Sequence, residues 1–68
     1  MILNKWVIFW NNQPIGIDLN SGGYPFKTEN PNNIKYWISK EEAIKYCDMF
    51  PNNRMWAKEI QFRILESN

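Results

Sequence analysis

Hydrophobic positions along this chain follow two periods, and only one stretch follows the helical one. Over residues 39–51, Ala43, Tyr46, Cys47 and Phe50 recur at i, i+3, i+4 and i+7, which places them on one face of a helix. Ser39 stands at the N-cap position with Glu42 three residues on, the spacing of a capping box. Pro51 lacks the N–H that would continue the helix. Ile38, just before the cap, is predicted to staple against Ala43.

Everything else reads as strand or turn. Residues 5–10, Lys-Trp-Val-Ile-Phe-Trp, are β-branched and aromatic and are bounded by polar turn formers. Trp6, Ile8 and Trp10 share one face of this strand and Val7 and Phe9 the other, so both faces are apolar. Such a strand is either central and covered on both sides, or it carries an exposed binding face. Asn11-Asn12-Gln13-Pro14 predicts a turn, because Asn tolerates the left-handed conformation. Ile15, Ile17 and Leu19 then alternate with Gly16 and Asp18, completing an N-terminal hairpin. Asn20-Ser21-Gly22-Gly23 is a second turn, in which glycine supplies positive φ. Tyr24 and Phe26 begin a short third strand that Pro25 pushes towards an edge or a bulge.

Residues 29–33, Glu-Asn-Pro-Asn-Asn, form the loopiest stretch, and residues 34–38 an extended lead into the helix. After a turn at Asn52 and Asn53, Trp56, Ile60, Phe62 and Ile64 alternate with Glu59, Gln61 and Arg63. Lys58 falls on the apolar face, where its stem can pack while the ammonium reaches water. The order strand, strand, short strand, helix, strand predicts one α+β domain over residues 1–68. It is a small antiparallel sheet of three to four strands packed against one helix.

Composition sharpens this picture. Chains of this length bury only about 60% of their unfolded surface, so large side chains must supply the core. An aromatic content of 16%, with four Trp, meets that demand, and 44% hydrophobic residues exclude a disordered chain. A net charge of +1 is no footprint for duplex DNA. Cys47 has no second cysteine to pair with, and its place on the apolar helix face reads as a buried, inert thiol. The apolar run at 6–10 is shorter than the roughly 7–15 residues of a signal-peptide core or the roughly 20 of a membrane span. A cytoplasmic protein with no membrane partner is expected.

Chemistry is sparse. The chain has no His, which removes the usual general base, the Cys–His nucleophile and most transition-metal sites. Asp18, Glu29, Glu41, Glu42, Asp48, Glu59 and Glu66 are scattered, with no spacing that favours a catalytic carboxylate pair. Ser21-Gly22-Gly23 lacks the strand–loop–helix context of a P-loop and reads as a hairpin turn. No enzyme, cofactor or metal site is expected. What remains is a surplus of aromatic residues: one helix cannot cover all of Trp6, Trp10, Tyr24, Phe26, Tyr36, Trp37 and Trp56. Lys27 and Lys35 flank Tyr24, Phe26 and Trp37, and these five residues form the candidate partner-binding site. Rings beside Lys suit a protein-binding hot spot, or the stacking of single-stranded bases with help from Arg63. Alternatively the rings close a small core from its margins, or edge strands pair in a structural homodimer.

Ser-Gly-Gly-Tyr-Pro-Phe at 21–26, Ser-Lys-Glu-Glu-Ala at 39–43, Met-Phe-Pro at 49–51 and the closing alternating strand resemble short orphan proteins encoded by bacteriophages and prophages. The resemblance implies a non-enzymatic accessory protein acting in the host cell cytoplasm. Its role would be to bind another protein, for example inhibiting a host or anti-phage defence factor by occupying its surface. It implies no catalytic residues.

Overall fold

The computed structural model describes residues 2–63, with side chains over residues 3–61. Ile64 therefore lies outside the described residues, and Phe62 and Arg63 are described as backbone alone. The chain runs β1 (Ile2–Trp10), β2 (Gln13–Asp18), β3 (Tyr24–Lys27), α1 (Lys40–Asp48) and β4 (Trp56–Arg63). The strands form one antiparallel sheet in the order β3-β2-β1-β4, backed by the helix, which is the expected α+β architecture. β1 starts at Ile2, earlier than its composition predicts, because β4 pairs with it continuously from Ile2↔Arg63 to Phe9↔Trp56.

Local chemistry makes the turns. Asn11 and Asn12 both hold positive φ (51° and 66°), the two-residue geometry that lets Trp10 pair with Gln13. Gly22 and Gly23 close the next hairpin at φ 72° and 79°, and the Gly23 N–H donates to the Asp18 carbonyl. Leu19 does not extend β2. The Asp18 carboxylate accepts the Asn20 N–H, so the chain turns into a 3-10 segment, Leu19–Ser21, and Leu19 is exposed. Pro25 pairs with Ile17 on edge strand β3, the position its missing N–H tolerates.

The sheet is forked. β1 and β2 pair only at Phe9↔Pro14 and Trp10↔Gln13. Beyond that point the Ile15 carbonyl accepts the Lys35 N–H at 3.0 Å, and Trp6 exchanges two backbone hydrogen bonds with Trp37 at 2.8 Å each. Residues 35–37 thus fill the fork between the two strands. Their approach is marked by Gly16, where a Cβ would collide with the Asn33 carbonyl oxygen and the Phe26 ring. Asn33 therefore lies on the sheet face opposite Ile15, whereas Trp37 is in the core on the helix side. The chain passes through the sheet between these two residues.

The helix covers one face only. Ile8, Ile15, Trp37 and Ala43 are buried together, with Trp6, Trp10, Ile17, Tyr46, Cys47, Met55 and Ala57 packed around them. Ser39 caps the helix by accepting the Glu42 N–H at 3.2 Å. Tyr46 Oη donates to the Gly23 carbonyl at 2.7 Å and ties the helix to the β2–β3 turn. The expected staple does not form. Trp37 is pinned to Trp6 and takes the core position, so the next residue, Ile38, turns outward and is 77% exposed.

Candidate functional site

Strand alternation decides what the opposite face of the sheet carries. Ile8 and Ala57 are paired and face the helix, so the residues on either side of each point the other way. Leu3, Lys5, Val7 and Phe9 from β1 meet Trp56, Lys58 and Ile60 from β4 on this helix-free face. Phe9 and Trp56 are paired in register and stacked, with ring centroids 5.0 Å apart and planes 18° apart. Val7 is buried at the centre of the strip, while Trp56 stays 46% exposed and Leu3 is also exposed. Lys5 and Lys58 lie on the same face, and no carboxylate falls among these seven residues. The result is a largely apolar strip with an aromatic stack at one end and two cations along it.

The five residues singled out from sequence do not share one surface. Phe26 packs over Gly16 on the helix-free face and is partly exposed. Tyr24 is exposed at the other end of β3, where its ring meets Phe50 at 5.5 Å. Lys27 is on the helix side, its ammonium 4.9 Å from the Trp10 ring centroid. Trp37 is a correction: at 7% exposure it is core, because its backbone is bonded to Trp6 in the fork and its ring packs on Tyr46 at 5.4 Å. Lys35 is exposed, and its ammonium lies over the Trp37 ring, 6.0 Å from the centroid. The Arg63 side chain lies outside the described residues.

The sequence pattern did not single out Leu3, Lys5 and Phe9 as site residues, marked Lys58 only as a strand member, and counted Trp56 among the surplus aromatic residues without placing it in the site. The signal for this face was present, through Val7 and Phe9, in the two-sided apolar character of residues 6–10. It was ambiguous because the same pattern describes a strand covered on both faces.

Among the described residues, no group of three or more His, Cys, Asp or Glu is placed to hold a metal ion. Burial raises the Cys47 thiol above its ordinary pKa, reinforced by Asp48, and burial likewise raises the Tyr46 phenol, with Cys47 adding to it. Both shifts hold the groups in their neutral, unreactive forms. No helix among the described residues is long and apolar enough to cross a membrane.

Fold and site together define a small two-layer α+β domain whose helix covers one sheet face, while Asn33 and the Phe26 ring cover only part of the other. No protein-family model matches the chain, and comparison with curated proteins and with solved structures finds no significant match.

Proposed function

We propose that this protein is a non-enzymatic binding module that captures another protein on the helix-free face of its sheet. The observation that supports this reading is the Phe9–Trp56 stack at one end of the strip, with Trp56 half exposed, followed along the face by the pair of buried Val7 and Lys58 and then by Lys5 and Ile60. A half-exposed aromatic anchor next to a buried apolar residue, with cations within the same strip, suits a protein-binding hot spot. In the setting that the resemblance to short phage proteins implies, such a module acts by occupying the surface of a host or defence protein.

The same rings and lysines also suit single-stranded nucleic acid, whose bases stack on aromatic platforms. Magnitude separates the readings. Two lysines that each neutralise a phosphate give a log–log salt slope of only about −1.4, too little for a backbone-tracking groove. A protein partner is therefore the better fit.

The test is capture from lysate by the tagged chain, compared with Trp56→Ala and with Lys45→Ala on the exposed side of the helix. Loss of a hot-spot aromatic costs about 2 kcal/mol or more, roughly 30-fold in affinity. A specific protein retained by the wild type and by Lys45→Ala, but lost with Trp56→Ala, is the expected result. Equal retention by Trp56→Ala, or recovery of nucleic acid in its place, overturns the reading.

A further inference from the structure

The two edges of the sheet are built differently. In an antiparallel pair, residues whose N–H and C=O bond one neighbour alternate with residues whose groups face the other side. Trp6 exchanges both of its bonds with Trp37, so its groups point away from β4, and its partner Glu59 likewise points its own groups away from β1. By alternation Ala57, Glu59 and Gln61 all present N–H and C=O groups along the outer edge of β4, with no backbone partner among the described residues. The corresponding position on the other edge strand, β3, is Pro25, which has no N–H to present, in a strand of only four residues. β4 has eight residues, no Pro, no Gly and an uninterrupted register. One edge is blunted and the other is left as a template for a further strand.

We infer that the open edge of β4 pairs antiparallel with β4 of a second copy of this chain, about a two-fold axis at Ile60. The axis follows from charge and overlap. Paired residues must come from the same sheet face, so each allowed register sets one residue opposite itself. Centring on Glu59 opposes two carboxylates and centring on Lys58 opposes two ammoniums, both destabilising. Centring on Ala57 pairs only residues 56–58, because a 3-10 turn, Pro51–Asn53, precedes the strand. Centring on Gln61 overlaps residues 59–63 only, whereas Ile60 overlaps residues 57–63. In that register Ile60 meets its copy on the helix-free face, and Glu59 meets Gln61, exchanging the backbone bonds that both leave free. A net charge of +1 puts little repulsion between copies. This inference rests on the backbone edge of β4 and not on the partner-binding reading, and it shares with that face only the Ile60 side chain at the axis.

Sedimentation of the purified full chain across micromolar to millimolar concentration should show a species of twice 8.2 kDa. Amide exchange then reads the edge directly. Lys58 and Ile60 amides, bonded to β1, should exchange slowly at every concentration. Ala57, Glu59 and Gln61 amides should be slow only where dimer is populated and should speed up on dilution. Glu59→Pro removes an outward N–H without touching the β1 ladder, and should raise the dimer dissociation constant at least tenfold while far-ultraviolet circular dichroism stays native. Ile60→Lys, which alters no backbone group, should do the same by opposing two ammoniums at the axis. A chain that stays monomeric throughout overturns the inference. So does a dimer whose Ala57, Glu59 and Gln61 amides stay fast, or one that Trp56→Ala dissolves and these variants do not.

Discussion

Gly16→Ala tests the least conventional feature of the fold, the passage of the chain through its own sheet. Gly16 has ordinary strand φ, so alanine brings no backbone strain, and on an open strand it would stabilise by about 0.4–1 kcal/mol through the unfolded chain. Here the new methyl would meet the Asn33 carbonyl oxygen and lie 2.7 Å from Phe26 Cζ. The Phe26 ring is the far end of a rotatable side chain and can swing. Asn33 cannot yield as easily: its N–H is bonded to the Asn30 carbonyl at 2.9 Å, and two residues on the Lys35 N–H is bonded to Ile15. Overpacking of this kind costs about 1–3 kcal/mol, which outweighs the entropic gain and leaves a net loss of about 1–2 kcal/mol. At about 4–8 °C per kcal/mol in a domain of this size, the melting temperature should fall by about 4–16 °C. Thermal unfolding followed by tryptophan fluorescence measures it. Adding Phe26→Leu should recover little, because the backbone carbonyl stays in place. A Gly16→Ala protein as stable as the wild type, or more so, would mean that residues 30–34 stand away from the sheet and that the threading described above is wrong.

Two further outcomes follow from burial. Trp37→Ala removes a core ring at a typical cost of about 3–5 kcal/mol, against a total stability of about 3–10 kcal/mol for a chain of this length; it should unfold or nearly unfold the protein, and a stable, native spectrum would contradict the core assignment. Cys47 and Tyr46 both have raised pKa values, so the folded state binds more protons than the unfolded state in the alkaline range. Their contribution is fully present below the unfolded values, about 8.5 for Cys and about 10 for Tyr, and is lost as pH rises beyond them. The urea midpoint should hold steady up to about pH 8 and decline above it, with Cys47→Ala flattening the first part of the decline; a midpoint that rises instead would refute the burial argument.

Much of the architecture was legible because local chemistry and tertiary structure agree. Ser39 and the face of Ala43, Tyr46 and Cys47 specify the helix, Asn11-Asn12 and Gly22-Gly23 the hairpins, and Pro25 the edge. The readings that failed depend on contacts between distant segments. Trp37 looks like a spare aromatic until Trp6 is seen to bond it, and Ile38 looks like a staple until Trp37 takes the core position. Gly16 reads as an ordinary polar-phase residue of an alternating strand, and nothing near it in sequence announces Asn33. The site was only half visible for the same reason. Lys27 and Lys35, neighbours of several rings in sequence, lie over two different rings, Trp10 and Trp37, while Lys5 and Lys58 are brought to one face by the β1–β4 register, which spans most of the chain.

Both proposed surfaces meet on β4, and its pleat keeps them separable. Even-numbered residues Trp56, Lys58 and Ile60 direct side chains to the helix-free face and backbone groups to β1. Odd-numbered Ala57, Glu59 and Gln61 do the reverse, with side chains towards the helix side and backbone groups towards the open edge. Trp56→Ala therefore alters the face without removing an edge donor, and Glu59→Pro removes an edge donor without altering the face. If partner capture and self-pairing are independent properties, each variant should abolish one and spare the other. If self-pairing instead builds the capture surface by joining two strips into one, Glu59→Pro should weaken both, while Trp56→Ala still weakens only capture. Measuring both properties on both variants distinguishes these arrangements, because one strand presents its two functions at alternate residues.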